Sequence, residues 1–272
     1  SPADGVWRVS SPEPRLVVVQ ADFTAVERAW DARWLNLMRR VALRRVWTCA
    51  ARLQKWRRPA WEAKLREPSG WRIAGASFTR LGFWKGATGQ TRFADGDGRL
   101  HPVYGADVLY TLFFELDCPL MDGDAVSLTT PFGNVLRLVR QEDSPSPFIK
   151  VNQVGYSPCA AHRYAYLGGW LGTLGAWEPS ETTPRFAVVD AETRRTVYTG
   201  TCCLRPDPGK TADGTPWTGE NTREIDFSAV TRPGTYFIRV DGVGRSADFT
   251  VGETGLVTAA RTHLHGLFAQ RC

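Results

Sequence analysis

The sequence predicts a mainly β protein built as two tandem immunoglobulin-like β-sandwiches, the first with a helical insert, and a C-terminal helix. Short runs rich in β-branched and aromatic residues recur between turn signals in both halves, a pattern typical of sandwiches. A proline- and serine-rich segment, SPSPF at residues 144–148, separates the halves and indicates a linker. With 272 residues, 43% of them hydrophobic, each half can bury its own core, so the composition predicts a folded protein.

The first domain is predicted over residues 1–145. Its strand candidates are RLVVVQADF, RIAGASFTRLGFW, VLYTLFFEL, DAVSLTT and NVLRLVR. The turns DGDG, CPLMDGD and PFG separate several of them. Five or more short strands support an independent sandwich.

A basic helical insert is predicted at about residues 24–68, where the pattern changes from strand to helix. Apolar residues fall at helical spacing at Trp30, Trp34, Leu37, Val41, Val46, Ala50 and Leu53. The segment from Arg28 to Arg66 contains twelve Lys or Arg residues but only two acidic residues. Its excess of positive charge is larger than the net charge of +6 of the whole chain. The basic charge is therefore local and does not indicate a nucleic-acid partner.

Three hypotheses are open for this insert. Its tryptophan stripe packs on the neighbouring sandwich with the arginines in solvent, or its basic face binds an anionic membrane or an acidic polymer. Alternatively, the insert does not fold properly, because its Arg, Trp and Ala bias differs so sharply from the flanking sequence that a local reading-frame error is conceivable.

The second domain is predicted over residues 149–252. The strand candidates FAVVD and TVYTG flank an AETRR turn, and GTYFIRV sets Tyr236, Ile238 and Val240 against Phe237 and Arg239. Residues 253–272 are predicted to be helical. Leu256, Ala260, Leu264 and Leu267 would share one face of that helix.

The second half resembles a known module. IKVNQVGYSP, RYAYLGGW, FAVVDAETRRTVYTG, TGENTREIDFSAVTRPGTYFIRV, GRSADFTVG and LFAQRC follow one another over residues 149–272. This ordered combination of NQVGY, DFS, PGTY and QRC resembles the N-terminal immunoglobulin-like module of glycoside hydrolase family 9, the family of many cellulases and endoglucanases. The first half is similar, on weaker motifs, to an additional β-sandwich found upstream in some of these enzymes.

The resemblance implies that this chain is a non-catalytic accessory region. In that family an (α/α)6 barrel follows the module and hydrolyses β-1,4-glucans with two carboxylates about 6.5–9.5 Å apart. No catalytic residue can be placed here, so residues 253–272 are expected to be only the helical start of that catalytic domain. The implied partner is the barrel of the same parent chain, and the implied location is secreted or periplasmic.

The alternative is a stand-alone protein that binds β-glucan or cellulose through exposed tryptophans. Trp84, Trp170 and Trp177 lie near glycine-rich, loop-like sequence and are the candidates, although packing in the cores or against a barrel explains them as well. Affinity for a sugar would require two or more coplanar, solvent-facing rings on one surface.

No metal, cofactor, nucleic-acid partner or membrane partner is expected. Asp95 and Asp97 in DGDG favour a hairpin turn over a calcium loop, because position twelve of an EF-hand pattern would be Ala106. The four histidines form no ligand pattern, and no stretch approaches about 18 apolar residues. The six cysteines, without a CxxC pair, favour free, buried thiols over a disulfide framework.

Overall fold

The computed structural model describes residues 1–30, 49–94, 100–205 and 219–270, together with residues 214 and 217. The chain divides into two compact units. The first consists of Ser1–Ser11, Arg15–Arg140 and Leu171–Leu174, and the second of Pro12–Pro14, Gln141–Trp170 and Gly175–Cys272. The predicted mainly β fold class is confirmed, whereas the domain boundaries given above stay predictions.

The first unit contains seven described strands in two antiparallel sheets. The strands are β1 (Val6–Glu13), β2 (Leu16–Asp22), β3 (Arg72–Ala74), β4 (Phe78–Ala94), β5 (Leu100–Leu116), β6 (Ala125–Thr129) and β7 (Val135–Val139). One sheet has the order β1-β2-β5-β4 and the other β3-β6-β7. Alternate residues of β2, such as Val17 and Val19, join Leu112 and Leu128 in one buried core, as strand periodicity requires.

Two helical segments of the predicted insert are described in the first unit. Residues 24–30 form the described part of α1, and α2 spans Cys49–Arg66. The tryptophan stripe from Trp34 onward falls largely on residues 31–48, outside the described residues.

A buried ion pair fixes α2 on the first unit. Arg58 donates two hydrogen bonds to the carboxylate of Glu27, from Nε at 2.8 Å and from Nη2 at 2.6 Å. The side chains are 15% and 4% exposed, respectively. Leu65 is completely buried one residue before the helix ends, and Trp61 packs edge-on against Phe23. None of these contacts involves the predicted stripe, whose member Trp30 is 49% exposed, so the three hypotheses for the insert stay predictions.

The second unit contains nine strands and one long helix within the described residues. The elements are β8 (Ile149–Lys150), β9 (Tyr164–Leu167), β10 (Arg185–Asp190), β11 (Thr196–Thr201), β12 (Cys203–Leu204), β13 (Arg223–Asp226), β14 (Gly234–Val240), β15 (Gly244–Arg245), β16 (Phe249–Val251) and α3 (Thr254–Ala269). One sheet has the order β11-β10-β14-β15, with β16 also paired to β14, and the other has the order β12-β13-β9-β8.

The predicted alternation of β14 is incomplete. Tyr236, Ile238 and Val240 are buried as expected, but Phe237 on the opposite face is also fully buried. Three guanidinium groups cover its ring, those of Arg194, Arg239 and Arg245, at 5.3, 5.8 and 4.7 Å from the ring centroid. Arginine side chains can therefore bury an aromatic ring on a face that the sequence pattern assigns to solvent.

Candidate binding and docking surfaces

The motifs behind the resemblance meet in one aromatic cluster of the second unit. Tyr156 of NQVGY lies 4.9 Å from Phe227 of DFS and 5.3 Å from Phe249, between ring centroids. Phe249 lies 5.3 Å from Phe227 and 6.3 Å from Tyr236 of PGTY. Aromatic pairs at these separations stabilise a core. Motifs far apart in sequence thus form one packing unit.

The NQVGY motif forms a turn that ties together two parts of this unit. The hydroxyl of Tyr156 accepts a hydrogen bond from the backbone N–H of Asn152 at 2.9 Å and donates one to the backbone carbonyl of Tyr164 at 2.9 Å. Burial raises the pKa of Tyr156. Gly155 has φ +110°, and a Cβ there would lie 2.5 Å from Oγ1 of Thr250. Only glycine fits this position without strain.

A buried arginine holds the loop that follows this turn. Arg163 is 2% exposed, and its Nη1 donates to the carbonyls of Ser157, Pro158 and Ala160 at 2.9, 3.2 and 2.9 Å. Its Nη2 donates to the carbonyl of Ser228, in the DFS motif. No carboxylate pairs with it among the described residues. The guanidinium therefore acts as a crosslink between backbone segments.

Helix α3 presents an apolar face to solvent. The large apolar side chains of α3 whose burial is described are 54–69% exposed, and they are Val257, Leu264, Leu267 and Phe268. At 3.6 residues per turn these positions fall within a sector of about 100°. We call these four residues the α3 apolar face. The predicted stripe is thus found at Leu264 and Leu267, while the burial of Leu256 is not described.

Only the beginning of α3 is packed closely on the second unit. A Cβ at Gly255 would lie 2.1 Å from the carbonyl oxygen of Val154, so the first turn touches the NQVGY turn directly. From Ala260 onward every described residue is exposed. Isolated helices of this length are marginal in water. The part of α3 from Ala260 onward therefore receives little support from burial within the described part of the second unit.

The structure exposes only two of the three tryptophans that were predicted to bind sugar. Trp84 on β4 of the first unit and Trp170 of the second unit are each 40% exposed. Trp177 is only 4% exposed and stacks on Phe148, with ring centroids 4.4 Å apart and an interplanar angle of 20°. A sugar cannot reach a ring packed in this way. The assignment of Trp177 to sugar binding is therefore corrected, and Trp84 and Trp170 stay predictions.

A row of aromatic residues on β9 and just before it was missed at the level of sequence. His162, Tyr164 and Tyr166 alternate with Arg163, Ala165 and Leu167, and the second set is buried while the first is partly or fully exposed. The alternation in HRYAYL was the available signal, because strand side chains point to opposite faces in turn. The rings of His162 and Tyr164 are within 11° of parallel, with centroids 5.8 Å apart.

Carboxylates border this row. Pairing of β13 with β9 places Glu224 opposite Tyr166 and Asp226 opposite Tyr164. Partial desolvation and then the charges of Asp226 and Glu224 raise the pKa of Tyr164. On the other side, pairing of β8 with β9 places Lys150 opposite Tyr166. The rings are thus surrounded by groups that donate and accept hydrogen bonds.

Two other sequence-level expectations concern cysteines and metal ligands. Cys118, Cys159, Cys202 and Cys203 are free thiols, but only Cys202 is buried. The expected burial is therefore wrong for the other three. The described residues contain no cluster of three potential metal ligands, and Asp95 and Asp97 lie outside them. Within the same described ranges no helix is long and apolar enough to cross a bilayer.

These features define the second unit as an immunoglobulin-like module with motif-specific packing and an exposed C-terminal helix. Residues 144–245 match the family model described as the cellulase N-terminal ig-like domain. The predicted resemblance is confirmed for this segment. The match begins within the SPSPF segment, so the predicted linker residues belong to the matched region. No match was found among curated proteins.

Solved structures of family 9 proteins are similar to part of the chain. A metagenome-derived glycoside hydrolase family 9 endoglucanase is 32% identical over 38% of this chain and 18% of that chain, with a TM-score of 0.30. The Bacteroides ovatus GH9 protein is 26% identical over 47% of this chain and 19% of that one, with a TM-score of 0.35. This chain therefore spans less than a fifth of the length of either protein.

Proposed function

We propose that this chain is the non-catalytic accessory region of a family 9 glycoside hydrolase and that it stabilises and positions an (α/α)6 catalytic barrel. The observation that carries the proposal is the match of residues 144–245 to the cellulase N-terminal ig-like domain. The chain itself would not cleave a glycosidic bond. From the same resemblance, the parent protein would be secreted or periplasmic.

The α3 apolar face supplies a physical reason for docking. Fully burying one side chain of this size contributes about 1.5–3 kcal/mol, and these four are 54–69% exposed, so covering them would contribute about 4–8 kcal/mol before the entropic cost of association. The tight contact of Gly255 with Val154 fixes the direction in which the helix leaves the second unit. A barrel covering this face would be held at a defined position.

Peptide mapping of the native protein is the first test. The proposal expects tryptic peptides beyond Cys272 that include an aspartate-rich barrel motif. An intact mass that ends at Cys272 would refute the accessory role, and glucan binding by the chain alone would become the leading function.

A second test uses the full-length parent protein, including the proposed catalytic domain. Leu264→Asp combined with Leu267→Asp places two charges in the α3 apolar face and should lower the melting temperature of the catalytic domain. Val197→Asp on β11 is the matched control, because Val197 is 48% exposed but lies on a different element. Equal effects of the two changes on melting would contradict docking through α3.

The second candidate function is binding of β-glucan through exposed tryptophans. The 40% exposure of both Trp84 and Trp170 favours it, since partly exposed indoles offer an apolar face beside a polar N–H. Affinity electrophoresis in gels containing soluble β-glucan would test it. Trp84→Ala and Trp170→Ala should each reduce retardation, while Val197→Ala, which shortens an exposed side chain that is not aromatic, serves as the control.

A further inference from the structure

The outer face of the β12-β13-β9-β8 sheet combines aromatic rings with hydrogen-bonding groups. The opposite face is sealed, because Ala165, Leu167 and Ile225 have no exposed area. His162, Tyr164 and Tyr166 follow one another at every second residue, over β9 and the two residues before it, which spans about 13 Å where the backbone is extended. We call these three residues, with Glu224 and Asp226, the tyrosine face.

The rings of the tyrosine face remain accessible to solvent, because His162 is exposed and Tyr164 and Tyr166 are partly exposed. The rings of His162 and Tyr164 form an offset stack, with centroids 5.8 Å apart. Each ring therefore keeps surface that a ligand can touch. A ligand that follows the strand would meet the rings in succession.

The charges around the rings are nearly balanced. Lys150 pairs with Glu220, and Arg205 lies 3.7 Å from a carboxylate oxygen of Glu224. Asp226 forms no salt bridge within the described residues, and its Oδ1 accepts hydrogen bonds from the amide and hydroxyl of Ser228. A nucleic acid or an anionic membrane requires a clear excess of positive charge. The tyrosine face therefore suits an uncharged ligand that is rich in hydroxyl groups.

We propose that the tyrosine face is a binding site for a neutral polysaccharide of the β-glucan class. The rings of His162, Tyr164 and Tyr166 would contact the C–H faces of successive sugars. Glu224 and Asp226 would accept hydrogen bonds from sugar hydroxyls. The choice of glucan rests on the proposed function above, whereas the choice of a neutral glycan rests on the aromatic rings and the charge balance.

The site has a second property that separates it from the α3 apolar face. Amphipathic tyrosine rings bordered by carboxylates fit a wet, hydroxyl-rich ligand, because sugar hydroxyls and bridging waters can replace the water that hydrates the carboxylates. A protein interface would instead favour a desolvated apolar centre without charges. The two surfaces thus suit two different occupants.

Titration of this chain with cellohexaose, followed by calorimetry and by ¹H–¹⁵N spectra, tests the proposal. Tyr164→Ala and Tyr166→Ala should each weaken binding by about three- to tenfold, the range expected for one aromatic contact. Tyr198→Ala on β11 is the matched control, because Tyr198 is also partly buried but lies in the other sheet of the same unit. Shifts in the wild-type spectrum should centre on β9 and β13.

Four results would overturn the proposal. They are no binding of cellohexaose, unchanged binding by both tyrosine variants, equal loss in Tyr198→Ala, and spectral shifts confined to other strands. The α3 double variant separates this proposal from the accessory role, since its sugar binding should equal that of the wild type. Intact sugar binding without peptides beyond Cys272 would refute only the accessory role, and the reverse pattern would refute only this site.

Discussion

Replacing the buried Arg163 by methionine should destabilise the second unit strongly. Methionine fills much of the same volume but has no donor, so four backbone carbonyls lose the bonds that they accept from the guanidinium. These carbonyls belong to Ser157, Pro158, Ala160 and Ser228, which join the loop after NQVGY to the DFS turn. The loss therefore affects both strands, β9 and β13, that flank these segments.

The expected magnitude is about 4 kcal/mol of unfolding free energy. We assign each of the four hydrogen bonds a net contribution of about 1 kcal/mol to the unfolding free energy. This value is below the range for charged donors, because burying a guanidinium without a carboxylate has its own desolvation cost. The Nε–H of Arg163 also has no acceptor among the described residues. Arg163→Lys keeps the charge but has a compact head group, so about half of the loss is expected.

Urea unfolding combined with hydrogen exchange of β9 and β13 would measure this change. Exchange assigns the effect to the second unit, which a global signal from two units does not. Arg185→Met on β10 is the matched control, because Arg185 is exposed, and its effect should stay within about 0.5 kcal/mol. If Arg163→Met costs less than about 1 kcal/mol, the view of this arginine as a backbone crosslink is refuted.

Three further predictions concern other contacts. Glu27→Ala leaves Arg58 without its buried partner and should cost about 3 kcal/mol, seen as faster amide exchange in α2; unchanged exchange would contradict anchoring. Tyr156→Phe removes two hydrogen bonds and should lower the unfolding free energy by about 1–2 kcal/mol in urea titrations. Burial raises the pKa of Cys202 to about 12, so iodoacetamide should alkylate exposed Cys203 and spare Cys202 in mass spectra. Because this folded value exceeds the ordinary 9.0, the thiol stabilises the folded state below pH 9, and that contribution is lost as the pH rises toward 12.

Much of the second unit could be predicted from its sequence. NQVGY, DFS and PGTY combine glycine, proline and short polar residues that fix turns locally, and the runs between them alternate as strands do. Such signals depend on residues that are close together in the sequence, so they can be recognised without knowledge of the fold. The confirmed match over residues 144–245 contains all three motifs.

The binding surfaces were less predictable. Trp177 and Trp170 lie in similar sequence, yet one is 4% exposed and the other 40%. The difference comes from Phe148, which stacks on Trp177 from a distant part of the chain. Likewise, the aromatic row of β9 reads as an ordinary strand until β13 and β8 are placed beside it.

The sequence by itself determined the mainly β class, the turns of the second unit, its family resemblance and the apolar stripe of α3. Those features follow from backbone preferences and from side-chain periodicity along one segment. Only the tertiary structure decided that Arg163 is buried among carbonyls, that Glu27 anchors α2 through Arg58, and that Tyr164 and Tyr166 stay open while Trp177 does not. Burial and ion pairing depend on which segments meet across the fold, and residues adjacent in sequence do not encode that choice.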